Sequence, residues 1–172
     1  AGEEITNMDP AQVVNKGVCY VPQTNNVFPT LTVQENLEMG AYIRKDDFRP
    51  RLLEIYEMFP PLVEKKKQAA GELSGGQRQM VAMGKALMLE PTILMLDEPT
   101  AGLSPIYRNE IFQIIRQINA SGVPILMVEQ NAKQSLAIAN RGYVFVDGRN
   151  RTTGKGIDLL NDPEIATMFL GG

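Results

Sequence analysis

Ile93-Leu94-Met95-Leu96-Asp97-Glu98-Pro99-Thr100 decides the fold. Four apolar residues without a polar break predict a strand covered on both faces, the habit of inner strands in parallel sheets. The strand ends in two adjacent carboxylates, and ligands of α/β sheets bind at the carboxyl ends of strands. Just downstream, Ser104-Pro105 predicts an N-cap and first helical position. Ile111, Ile114, Ile115 and Ile118 then form one buried stripe at helical spacing. Gly122 closes that helix before a second apolar strand, Pro124–Val128. Strand, helix and strand make a βαβ unit with a right-handed crossover, so the fold class is α/β.

Upstream, Val18–Val21 continues Gly17 as a short strand over 17–21, closed by Pro22. Thr32 with Glu35 predicts a capping box and a helix through about Arg44. Leu52, Ile55, Tyr56 and Phe59 predict a helix over Arg51–Phe59, stopped by Pro60-Pro61. A polar link with Lys65-Lys66-Lys67 leads to Leu73-Ser74-Gly75-Gly76-Gln77. Ser74 and Gln77 predict a second capping box, opening a helix whose apolar face carries Met80, Val81, Gly84, Leu87 and Met88. Beyond Val128 a helix is expected near Ala132–Ala139. A strand over Tyr143–Val146 follows, with Asp147-Gly148 as a hairpin turn towards Arg151–Thr153. Asp162-Pro163-Glu164 predicts a terminal helix running to Gly171-Gly172. The α/β core is therefore expected over about 1–29 and 91–172, with a mostly helical insertion over about 30–90.

Composition narrows the function. In 172 residues, 44% are hydrophobic and 22% charged, the usage of one ordinary globular domain rather than a disordered chain. A net charge of −3, with no basic block beyond the three lysines, gives little drive for binding nucleic acid. Cys19 is the only cysteine, so no internal disulfide forms, and its apolar neighbours point to packing. Histidine is absent, which removes it from any catalytic or metal-binding role. No apolar run is long enough to cross a bilayer, and the first residues have no signal-peptide pattern. A cytoplasmic location is expected, peripheral if the protein serves a membrane.

The chemistry-bearing residues have two readings each when taken singly. Asp97 suits a group that helps hold Mg²⁺ in phosphoryl transfer, and Glu98 one that orients water. Alone, the same run is also a buried strand whose acidic end meets solvent. The glycines at 75 and 76 let backbone approach a ligand, and the helix behind them aims free N–H groups at that point. That is an anion site, or simply a capped helix after a glycine turn. Gln23 alone is a loop glutamine.

Their combination and order say more. Tyr20-Val21-Pro22-Gln23, then Leu73 to Gln79, then Ile93 to Thr100 resembles the ABC ATPase family along the whole chain. The resemblance implies a P-loop NTPase-like parallel sheet, ATP and Mg²⁺ as cofactors, and ATP hydrolysis coupled to transport. Gln23 is similar to the Q-loop glutamine, which touches Mg²⁺ and water. Ser74, Gly75, Gly76 and Gln77 match the signature motif, which contacts the γ-phosphate bound by a partner subunit. Asp97 matches the Walker B aspartate serving Mg²⁺, and Glu98 the general base. Ser104 lies in the D-loop position, where many relatives carry aspartate. The implied partners are a second ATPase subunit arranged head to tail, transmembrane permease subunits and, indirectly, a solute-binding protein. The implied location is the cytoplasmic face of the membrane.

Two departures accompany the match. Gln130 in Val128-Glu129-Gln130-Asn131 stands where most relatives have the switch histidine; an amide can donate to a phosphate but carries no charge. A P-loop needs Gly-x-x-x-x-Gly-Lys-Ser/Thr, and neither Gly84-Lys85 nor Gly154-Lys155 fits it. In the family that loop lies upstream of the Q-loop, so the sequence reads as part of a longer protein without its P-loop portion, inactive by itself. Residues 100–105, 128–132 and 141–145, with Phe169-Leu170-Gly171-Gly172, resemble the ATPase of branched-chain amino-acid importers. Urea importers carry a similar ATPase. A noncatalytic docking module is the reading of a different class. A soluble ABC ATPase of DNA repair or translation would carry paired cassettes, coiled-coil insertions or basic extensions, which this sequence does not contain.

Overall fold

The computed structural model describes residues 2–167. They divide into two compact units, parted between Val128 and Glu129. In the first unit, α1 (Pro10–Asn15) precedes β1 (Val18–Val21), followed by α2 (Val33–Gly40), α3 (Arg49–Met58) and α4 (Pro60–Val63). A 3₁₀ turn at Ala70–Glu72 leads to α5 (Gly75–Leu87), β2 (Ile93–Asp97), α6 (Pro105–Ala120) and β3 (Ile125–Val128).

The three strands form a parallel sheet in the order β1-β2-β3. Tyr20 pairs with Met95, which pairs with Leu126; Asp97 pairs with Val128. Cys19, Val21, Leu94 and Leu96 are buried on one face. The other face is more open: Ile93 and Met95 are half-buried, while Tyr20, Leu126 and Val128 are exposed. The continuous apolar run thus marks a strand as expected, but its two faces are covered unequally. Cys19 is buried, and burial pushes its thiol up, as suits a packing residue.

The helical part packs around α5. Leu37, Ile55, Phe59, Leu62, Met80, Met83, Leu87 and Met88 are fully buried. Gly84 sits where three helices meet: a methyl there would lie 2.9 Å from the Leu37 side chain and 3.1 Å from Ile55. α2 ends at Gly40, four residues short of the expected Arg44. The chain turns at Ala41, and the Arg44 guanidinium instead bonds the Met88 carbonyl at 2.6 Å and Glu90 at 2.7 Å. Pro60-Pro61 ends α3 as expected and also opens α4, since a first helical turn needs no N–H from proline. α1 was not expected; Asp9 and Gln12 cap it reciprocally.

In the second unit, α7 (Ala132–Ile138) precedes the antiparallel hairpin of β4 (Gly142–Val146) and β5 (Arg149–Gly154). Asp147 and Gly148 turn it with φ of 49° and 73°, the left-handed pair a tight hairpin needs. α8 (Gly156–Leu160), also unexpected, and α9 (Pro163–Ile165) follow. Leu136, Leu159 and Ile165 make this unit's own core. The expected helix from Asp162 begins with α9; its continuation to Gly171-Gly172 and the Phe169–Gly172 motif lie outside the described residues.

Candidate functional site

Parallel register brings the ends of β1 and β2 side by side. The Tyr20 hydroxyl donates to Asp97 Oδ2 at 2.8 Å, and Gln23 Nε2 donates to Glu98 Oε2 at 2.7 Å. Gln23, Asp97 and Glu98 are thereby gathered at one sheet edge, although 75 residues separate Gln23 from Glu98. The bond to Asp97 holds the Tyr20 phenol above its ordinary value, so it stays a donor. Glu98 has φ of 43°, left-handed backbone that a non-glycine residue seldom adopts and that collects at functional sites. Its N–H donates to the Val128 carbonyl at 2.8 Å and its carbonyl accepts from Ala101 at 3.0 Å. The strand therefore stops at Asp97 and the Glu98 side chain is turned towards the loop after β1.

That loop is itself anchored. Asn36, fully buried, donates to the carbonyls of Phe28 and Thr32 at 2.9 Å and accepts from Phe28 N at 2.8 Å. Asn26 donates to Gln79 Oε1 at 2.9 Å. Lys85 Nζ donates to the Asn26 carbonyl at 2.7 Å and lies 4.8 Å from the Phe28 ring centre. α5 thus holds the segment that carries Gln23.

Ser74 to Gln77 form a second group at the N-terminus of α5. Ser74 Oγ accepts from Gln77 N at 3.3 Å and Gln77 Oε1 from Ser74 N at 3.1 Å, the expected capping box. A methyl on Gly75 would meet Leu103 at 3.1 Å, whereas one on Gly76 would sit 2.6 Å from the Tyr107 ring. Gly75 and Gly76 are thus seated against the loop before α6 and its first turn. Ser104 is the N-cap of α6 but makes no side-chain cap bond. Pro105 removes one N–H that would otherwise need a partner, and the Ser104 carbonyl receives Arg108 N at 2.9 Å. Gln130 lies in the second unit, before α7, its carbonyl accepting from Ala132 at 2.8 Å. Tyr20 had no assigned role from sequence. No local pattern could mark it: the β1–β2 register places Tyr20 opposite Met95, two residues before Asp97 and on the same face.

An acid-ended parallel strand, a paired glutamine and a glycine-opened helix define an α/β nucleotide-binding domain. Residues 1–101 match the model of the ABC transporter family. The chain is 43% identical over 172 residues to the high-affinity branched-chain amino acid transport ATP-binding protein BraG of Pseudomonas aeruginosa, covering 99% of this chain and 74% of that protein. It is 41% identical to the "Probable branched-chain amino acid transport ATP-binding protein LivF" of Archaeoglobus fulgidus, over 99% of this chain and 73% of that one. An ATP-binding cassette of an ABC transporter, solved in its ADP conformation, superposes with a TM-score of 0.83 at 28% identity, over 99% of this chain and 74% of that structure. The chain belongs to the ABC transporter family, as an ATP-binding subunit of the ABC ATPase class. Among the described residues no helix is long and apolar enough to cross a membrane.

Proposed function

We propose that this subunit hydrolyses ATP to drive import of branched-chain amino acids, acting at the cytoplasmic face of the membrane. The observation that carries the catalytic reading is the Gln23–Glu98 bond beside Asp97 at the end of β2. Glu98 is the general base that polarises water, held by Gln23 until the substrate is in place. Among the described residues no group of three or more acidic, cysteine or histidine side chains could hold a metal. Two carboxylates and an amide are instead the sparse oxygen set that suits Mg²⁺ arriving with nucleotide phosphates and water. Asp97 and Gln23 would hold it there, and it would neutralise charge building on the phosphates. Ser74, Gly75, Gly76 and Gln77 offer the helix-end N–H groups of α5 to a γ-phosphate held by a second, head-to-tail ATPase subunit. Ser104, in the loop before α6, adds a nucleotide contact, and Gln130 takes the catalytic switch role by its likeness to the family's histidine position. Residues 30–90 act as the signature subdomain.

Likeness to BraG supports the solute class. The permease subunits and solute-binding protein choose the solute; the complete ATPase subunit supplies the energy. Restoring radiolabelled leucine uptake in a strain deleted for the gene tests the reading. Rescue of urea uptake instead, or of neither, would overturn the solute assignment.

A further inference from the structure

We propose that Tyr20 is a positioning residue for the metal-binding carboxylate Asp97; the proposal rests on the reading of Asp97 as the Mg²⁺ carboxylate. Tyr20 lies on β1, opposite Met95 on β2. Side chains alternate along a strand, so Tyr20 and Asp97 share a face and stand one diagonal step apart. An aromatic ring reaches that step where a shorter side chain would not. The hydroxyl meets Oδ2 at 2.8 Å, one oxygen of two, so the carboxylate keeps a second oxygen for other partners.

In this chain Tyr20 is 55% exposed, so burial of the hydroxyl is not what forces the bond. What the bond does fix is the side-chain torsion of Asp97, the last residue of β2, just before the left-handed turn at Glu98. Partners behind a ligating group orient it and tune its basicity, and removing one costs about 10–100-fold in metal affinity. Here the donor is one neutral hydroxyl, so the low end of that range, about tenfold, is expected. An opposing effect exists: losing a donor leaves more charge on the carboxylate, which would tighten a metal. Orientation prevails because the bond to Oδ2 sets which oxygen of Asp97 is left to face the metal.

The test uses the full-length subunit with Tyr20→Phe and Asp97→Asn, titrating Mn²⁺ by electron paramagnetic resonance with ATP saturating. Nucleotide binding in EDTA and the thermal midpoint are measured beside it. Tyr20→Phe should weaken Mn²⁺ about tenfold while leaving metal-free nucleotide binding and the midpoint unchanged. If Asp97→Asn weakens the metal and Tyr20→Phe leaves it unchanged or tightens it, Tyr20 is not a positioning residue and the functional reading stands. If Asp97→Asn has no effect, the reading of Asp97 falls and the proposal with it. Equal losses in EDTA and with metal would make Tyr20 merely structural and also overturn the proposal.

Discussion

Gln23 donates its side-chain N–H to the Glu98 carboxylate at 2.7 Å, joining the loop after β1 to the residue that ends β2. Glu98 holds left-handed backbone while doing so, with φ of 43°. A flexible glutamate has no need of such a conformation, which costs about 1–3 kcal/mol when unsupported. The backbone bonds to Val128 and Ala101 hold it in place. The pair therefore fixes where the Glu98 carboxylate stands relative to the loop after β1.

From this follows the expected behaviour of Glu98→Gln in the full-length subunit. The amide keeps the shape and can still accept from Gln23 through its oxygen, but it has lost the basic carboxylate. Phosphate release should fall by about 10²–10⁴-fold, the usual worth of a positioned base. Nucleotide affinity should change little. Turnover within a factor of a few of wild type would remove Glu98 from the catalytic role.

Ser74→Ala separates two roles of one hydroxyl. As a cap, Ser74 Oγ satisfies the Gln77 N–H, and its loss should lower stability by about 1 kcal/mol. Urea unfolding measures that term. If the hydroxyl also serves nucleotide on a partner subunit, ATP hydrolysis should fall further than Ser74→Gly, a better cap than alanine, would explain by stability alone. Activities that track stability across the alanine and glycine variants would leave Ser74 as a cap only.

Lys85 gives a pH signature. Burial lowers its pKa from 10.5, because desolvation disfavours the ammonium. Between the lowered folded value and the unfolded 10.5 the unfolded chain binds more protons than the folded one. Stability should therefore gain a rising contribution with pH in that window, a penalty present at neutral pH being relieved. Partial exposure keeps the effect small. Lys85→Met should remove the rise while also losing the bond to the Asn26 carbonyl. Unfolding free energies measured from pH 8 to about 10.5 test this, and parallel curves for the two proteins would refute it.

What sequence could reveal followed chain distance. Both capping boxes, Thr32 with Glu35 and Ser74 with Gln77, stand where the spacing put them, because each is a three-residue relationship. The isoleucine stripe of α6 is buried as read. By contrast α1 has no buried residue, so it leaves no periodic apolar trace, and its cap pairs Asp9 with Gln12 outside any such stripe. The end of α2 depends on Arg44 reaching the far end of α5, which no local pattern encodes. The Tyr20–Asp97 bond spans 77 residues and exists only once β1 and β2 take their register. Gln23 and Glu98 are each marked by the family resemblance rather than by spacing, but their bond is visible only in the fold, and the unequal covering of the two sheet faces could not be read from a uniformly apolar run.

The signature glycines allow the last prediction, about assembly. Gly76 is a poor place to test it: a side chain there would begin 2.6 Å from the Tyr107 ring. Gly76→Asp would therefore disturb the packing of α5 on α6 by about 1–3 kcal/mol, confusing misfolding with lost association. Gly75 is better. A methyl there meets only the end of the flexible Leu103 side chain, at 3.1 Å. Gly75 is also the first residue of α5, where an aspartate is favoured by the helix dipole. The subunit's own fold should then be no less stable with Gly75→Asp. If the N-terminus of α5 completes a partner's site, however, the new carboxylate faces a γ-phosphate and opposes closure of a two-fold pair. We predict that full-length Gly75→Asp keeps nucleotide binding as a monomer, and loses ATP-dependent dimerisation together with hydrolysis. Light scattering with and without ATP, run beside a binding titration, reads both. Normal dimerisation with ATP would mean that Ser74 to Gln77 do no more than start a helix.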